Sequence, residues 1–185
     1  MPVKVSKAEA ASRQLNEAIR LFFRGGDTIA IHTLAAAAGT VFADIAENQT
    51  SGSSWQQGII LQDSALHPKH YFKILRDTQD FLKHADHDPN GVHEFDDLKN
   101  DDLIAVAILD CPSTCPLSTE MQAFQIWYFA AHARRFGLDH SVVTQVLAVL
   151  PGIDVLPRAD QIERGARFLD EVSSFTSATN RQEPS

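Results

Sequence analysis

The break at Gly25-Gly26-Asp27 constrains this chain more than any other feature of its sequence. Before it, Ala8, Ala11, Leu15, Ile19 and Phe22 recur at the three- and four-residue intervals that bring side chains onto one face of an α-helix. After it, Ala30, Leu34, Ala38, Val41, Phe42 and Ile45 repeat the pattern over 28–47. Ser6-Lys7-Ala8-Glu9 has the form of a capping box, the glycines stop the first helix, and the Asp27 carboxylate is placed to accept from the free N–H groups of the second. Two amphipathic helices joined by so short a link are expected to fold back as an antiparallel hairpin.

The second helix has another face, on which His32, Ala35, Ala36, Gly39, Ala43 and Ala46 cluster. Small side chains surround its one histidine, so another helix or a second subunit can approach closely. A polar loop follows from Asn48, then Trp55 and a short apolar patch at Ile59-Ile60-Leu61; a connection of that length is functional or mobile. Pro68 suits the first turn of a third helix with Tyr71, Phe72, Leu75, Thr78 and Leu82 on its stripe, and Pro89-Asn90-Gly91 signals a turn.

A fourth helix is expected over 97–110, with Leu98, Leu103, Ile104, Ala107 and Ile108 apolar. Thr114 and Pro116 open a fifth, apolar nearly all round across 123–131 and so central, which Gly137 ends. Asp139 caps a sixth with Val142, Val143, Val146, Leu147 and Leu150 inward, and Pro157 precedes a seventh carrying Ile162, Ala166, Leu169 and Val172. Only 92–95 alternates like a strand. The expectation is an all-α, single-domain helical bundle of six or seven helices over 1–175, with a disordered tail at 176–185.

With 185 residues and 44% hydrophobic content, such a domain can bury a core without disulfides or metal. The N-terminus has no apolar segment behind its lysines, and the charge-free run of 28–43 falls short of the roughly 20 apolar residues of a membrane span. A cytoplasmic protein with no membrane partner is therefore expected. The net charge of -8 gives no strong nucleic-acid signal, because a nonspecific polyanion binder needs a surplus of Lys and Arg on one face. That charge is local: residues 86–102 hold seven acids and one base, Lys99. Cys111 and Cys115 form a CxxxC pair without the spacing of redox or zinc motifs and read as reduced thiols at a helix junction.

Five of the eight histidines fall between His67 and His93. Within that stretch Lys73, Asp77, Asp80 and His84 share one helical face, with Lys83, Asp86 and Asp88 beside them. Asp80 lies one turn before His84, where a carboxylate orients the imidazole of a general base or metal ligand. The same spacing also suits a solvated face of Lys73 to Asp77 and Arg76 to Asp80 pairs. Asp86, Asp88, Asn90, Gly91 and Asp97 fall at EF-hand positions, but Pro89 stiffens the loop, His93 replaces an apolar residue, and the last ligand is Asp. No HExxH-type spacing is present, so no metal is assigned and the cofactor stays unknown.

Ala30-Ile31-His32-Thr33-Leu34-Ala35 and Phe81-Leu82-Lys83-His84-Ala85-Asp86-His87-Asp88-Pro89 resemble a family of bacterial all-helical proteins without an established activity. More distantly, residues 6–110 resemble HEPN domains, helical bundles that often dimerise and in active members cleave RNA through an Arg-x4-6-His motif. With His84 as the motif histidine, Asp80 stands where that family prefers Asn and Gln79 where it has the catalytic Arg. Gln brings no positive charge to a phosphorane-like transition state. An Arg135 to His140 string elsewhere is interrupted by Gly137 and Asp139. The resemblance thus implies a HEPN-like binding and dimerisation module without full ribonuclease activity, expected to be a homodimer with a small-molecule or protein partner. Its candidate pocket comprises His32, Lys73, Asp77, Asp80, Lys83, His84, Asp86 and Asp88. The alternative is a metal-dependent hydrolase with a His and Asp site over 84–88.

Overall fold

The computed structural model describes residues 2–55, 77–84, 86 and 88–179. Lys73, Pro68, the Ile59-Ile60-Leu61 patch and most of the expected third helix lie outside them. Regular structure among the described residues is helical throughout, with no strand, as the sequence leads one to expect. Helices α1 (Lys7–Phe23), α2 (Thr28–Gln49), α3 (Lys99–Leu109), α4 (Thr119–Ala131), α5 (Ala133–Phe136), α6 (Ser141–Val149) and α7 (Arg158–Thr179) follow in order, with a 3-10 turn at Ile153–Val155 before α7. Residues 77–83 are helical and 91–96 carry no regular structure. The chain divides into two compact units, Met1–Ala18 with Asp27–Pro116, and Ile19–Gly26 with Leu117–Ser185.

The local signals at both ends of the hairpin act as expected. The Glu9 N–H donates to Ser6 Oγ (3.2 Å), and the Ala30 N–H donates to Asp27 Oδ1 (2.8 Å). Gly25 takes a φ of 65°, which lets the Gly26 N–H reach back to the Leu21 carbonyl (2.8 Å) and close α1. Lys7, Ala11 and Gln14 of α1 line one groove with Val41, Ile45 and Gln49 of α2, so the first turns of α1 lie beside the last of α2. The two helices are antiparallel.

The face of α2 that sits deepest is the small-residue one. His32, Ala35, Ala36, Gly39 and Ala46 are buried, whereas Ala30, Leu34, Val41 and Ile45 of the larger stripe are half-exposed and only Ala38 and Phe42 of it are buried. Helix α3 packs along α2, and close approach favours the face without bulk. A strip taken up inside one chain is not available to a second subunit. By length and composition α2 is also apolar enough to cross a membrane, contrary to the reading of its run as too short. The charge-free run does end before Asp44, but Ile45 and Ala46 beyond it extend the apolar stretch. In this fold the apolar character serves packing, with eight buried residues on α2.

At the far end of α3, Asp110 is buried and accepts from Ser54 Oγ (3.3 Å) and the Trp55 N–H (2.5 Å), tying the segment after α2 to the end of α3. Cys111 and Cys115 are free thiols, as expected from their spacing. Cys111 Sγ donates to the Cys115 carbonyl (3.5 Å), and Cys115 Sγ lies 3.2 Å from Ser12 Oγ.

The second unit is built on aromatic packing. Phe22, Phe23, Phe124 and Trp127 meet in edge-on and tilted contacts 5.1–5.8 Å apart. Helix α7 crosses this cluster at Gly165, where a Cβ would lie 2.3 Å from the Phe23 ring and 2.6 Å from Trp127. Trp127 is fully buried, so α4 is central as expected, and its Nε1–H donates to the Gln161 carbonyl (2.8 Å). Two expected starts are displaced. Helix α4 is capped by Ser118, whose hydroxyl accepts from the Met121 N–H (3.1 Å), rather than opened at Thr114 or Pro116. His140, not Asp139, caps α6 through Nδ1, because the turn at Gly137 (φ 89°) delivers extended backbone at His140. Val143, Val146 and Leu150 face inward, while Val142 is exposed. Helix α7 continues to Thr179, four residues into the expected tail.

Candidate ligand site at His32

Helix α2 carries His32 in its second turn and buries it to 3% exposure. Its partner is Asn100, in the first turn of α3 and 1% exposed, whose Oδ1 lies 3.0 Å from His32 Nδ1. The orientation of that amide follows from its other end, since Asn100 Nδ2 donates to the Thr28 carbonyl (3.0 Å). Asn100 Oδ1 is therefore the acceptor, and His32 Nδ1 carries the proton. This leaves the basic lone pair on Nε2.

On balance this position disfavours the imidazolium. Burial is the largest influence and holds the His32 pKa below the usual histidine value; the Asn100 hydrogen bond opposes it, and the charges of Lys99 and His93 add to the depression. At neutral pH His32 is thus a neutral imidazole of one tautomer. The Phe95 ring lies edge-on to it, with centroids 5.3 Å apart at 84°. Nε2 is fully buried and has no hydrogen-bond partner among the described residues. A buried acceptor left in that condition costs about 1–3 kcal/mol, which any arriving donor recovers.

His93 supports the same region. Its Nε2 lies 2.8 Å from Thr78 Oγ1, and its ring stacks on Phe81 at 5.1 Å and 26°. Residues 93–95 thereby run between the helical residues 77–83 and the start of α2, with His93 on one side and Phe95 on the other. Gly91 holds the preceding turn, its N–H donating to the Asp88 carbonyl (2.8 Å), and a Cβ there would lie 2.5 Å from Asp88 Oδ2.

The other described residues of the expected pocket do not share the burial of His32. Asp77, Asp80, Lys83, His84, Asp86 and Asp88 are all exposed, and Lys73 is outside the described residues. Of the described members of that set only His32 is buried, and the charges that act on it come from Lys99 and His93. Gln79, where the HEPN pattern has its arginine, is buried. Among the described residues no three His, Cys, Asp or Glu side chains converge in a way that could hold a metal ion. Asn100 and Phe95 complete the His32 site without having been singled out in the sequence, and Thr78, expected only as a stripe position of the third helix, joins them through His93. One signal pointed to Asn100: with Ile104, Ala107 and Ile108 it falls at i, i+4, i+7 and i+8, which places a polar amide on a buried stripe.

Comparison with protein-family models, with curated proteins and with solved structures gives no match for this chain.

Proposed function

We propose that this chain is a HEPN-like helical bundle that works by binding rather than by full ribonuclease catalysis, and that its ligand engages His32. The observation that carries this reading is the buried neutral imidazole, fixed as one tautomer by Asn100, with Nε2 lacking a partner among the described residues. Such a nitrogen accepts from a ligand N–H or O–H. The exposed His84 face does not support strand cleavage, since Asp80 and His84 stand in solvent and buried Gln79 brings no cation to a phosphoryl transition state. Charge narrows the ligand further. The first unit holds sixteen acidic and eight basic residues, against eight of each in the second, so the whole net charge of -8 belongs to the unit with His32. A neutral hydrogen-bond donor suits that unit better than a polyanion.

The test is long-range 1H–15N correlation of the histidine rings in the full chain, with neutral nucleosides and simple amides as probes. His32 is expected to report a protonated Nδ1, and a binding probe is expected to move its Nε2 signal, with the effect lost in His32→Phe. Incubation with single-stranded RNA is expected to leave the strand intact. Cleavage abolished by His84→Ala overturns the non-catalytic reading, and a probe that binds while His32 Nε2 stays unmoved overturns the site.

A further inference from the structure

The second unit has a groove of about 420 Å3 where the end of α6 meets α7, lined by Val149, Leu150, Arg164, Arg167, Phe168 and Glu171. Its size is that of a small-ligand site. Arg164, Arg167, Phe168 and Glu171 follow one another at i, i+3, i+4 and i+7, so α7 presents all four on one face. Val149, Leu150 and Phe168 make the apolar part of the lining.

The two arginines are not equally engaged. Arg164 Nη1 donates to the Pro151 carbonyl (2.7 Å), which pins one edge of a planar group with five N–H donors and leaves the others for a second acceptor. Arg167 approaches Glu163 only to 4.0 Å, and both side chains are about two-thirds exposed, so that ion pair holds it weakly. Glu171 is the one acid of the lining. The groove therefore carries one net positive charge, which fits a monoanion, and a second negative charge would meet Glu171.

We infer that this groove binds an amphipathic monocarboxylate, its headgroup on the Arg164 and Arg167 guanidiniums and its apolar body against Phe168, Val149 and Leu150. The planar fork of a guanidinium matches a carboxylate in two parallel hydrogen bonds, and the single net positive charge of the lining favours it over a doubly charged phosphate. The apolar wall gives a hydrocarbon or aryl body an advantage over acetate, since burying it removes apolar surface from water.

Benzoate is the probe, followed by amide chemical shifts in the full chain. It is expected to move the signals of 149–151 and 164–171, with acetate and the uncharged isostere benzamide each weaker by about tenfold or more. Arg164→Gln with Arg167→Gln is expected to reduce benzoate affinity by about tenfold or more at unchanged helical content. Arg164→Lys, which keeps the charge and loses the fork, falls between. Glu171→Gln is expected to tighten benzoate and to admit phenyl phosphate. The inference is overturned if benzamide matches benzoate, if affinity survives the double substitution, or if no signal near the groove moves at about 20 mM benzoate. Should the double variant fold poorly, the comparison of benzoate with benzamide and the Glu171→Gln arm decide the matter.

Discussion

Asn100 does two jobs with one amide, holding the Thr28 carbonyl with Nδ2 and the His32 ring with Oδ1. Asn100→Leu keeps the volume but strips both partners, and leaves a buried imidazole N–H without an acceptor. A loss of about 1–3 kcal/mol in unfolding free energy is expected, measured by urea denaturation of the first unit's signals. Protonation reaches the same place by another route. The folded pKa of His32 lies below its unfolded value of 6.5, so the unfolded chain takes up the proton first as pH falls. The contribution of neutral His32 to stability is fully present above 6.5 and declines as pH drops through the window beneath it. Urea midpoints taken between pH 7.5 and 5 are expected to fall more steeply for the wild type than for His32→Gln. Equal slopes would show that His32 does not titrate in this way.

At the scale of elements, the crossing of α7 over the aromatic cluster at Gly165 is the contact with least room to adjust. A methyl there meets two rings at 2.3 and 2.6 Å, and both belong to buried side chains of the core. Gly165→Ala is expected to destabilise the second unit by about 1–3 kcal/mol or more, despite the better helix propensity of alanine, with a lower thermal midpoint as the readout. A neutral or stabilising result would mean that α7 does not approach so closely. Contacts of this kind explain which parts of the fold were legible in the sequence. Capping by Asp27, the glycine stop at Gly25 and the apolar girth of α4 are local properties, and each appears where the sequence places it. The small-residue face of α2 was legible as a site of close helix approach, but the larger stripe was expected to sit inward with it, and close packing selects for smallness over bulk. For the candidate site, His32 was visible as the lone polar group on a small-residue strip. Its pairing with Asn100 was not, because the two lie 68 residues apart and meet only through the way α3 lies along α2.

Charge is distributed unevenly over the whole molecule, and each unit has a tryptophan to report on it. Trp55 belongs to the unit carrying all eight net negative charges, and buried Trp127 to the neutral one. Raising salt from about 10 to 500 mM shortens the Debye length from about 30 Å to a few ångströms and screens the repulsion within the first unit only. In single-tryptophan variants, Trp127→Phe is expected to show a midpoint that rises with salt, and Trp55→Phe one that barely moves. Equal responses would mean that the two units unfold as one.

The junction at Cys111 and Cys115 has a chemical consequence for handling the protein. Burial, reinforced by the neighbouring Cys115, pushes the Cys111 thiol up to about 12. At pH 7 its nucleophilic thiolate is then about one part in 10^5, and only the thiolate attacks an alkylating agent or a disulfide. Cys111 is inert toward such reagents while the fold holds and becomes reactive when it opens, so its rate of alkylation measures how often the turn between α3 and α4 comes apart.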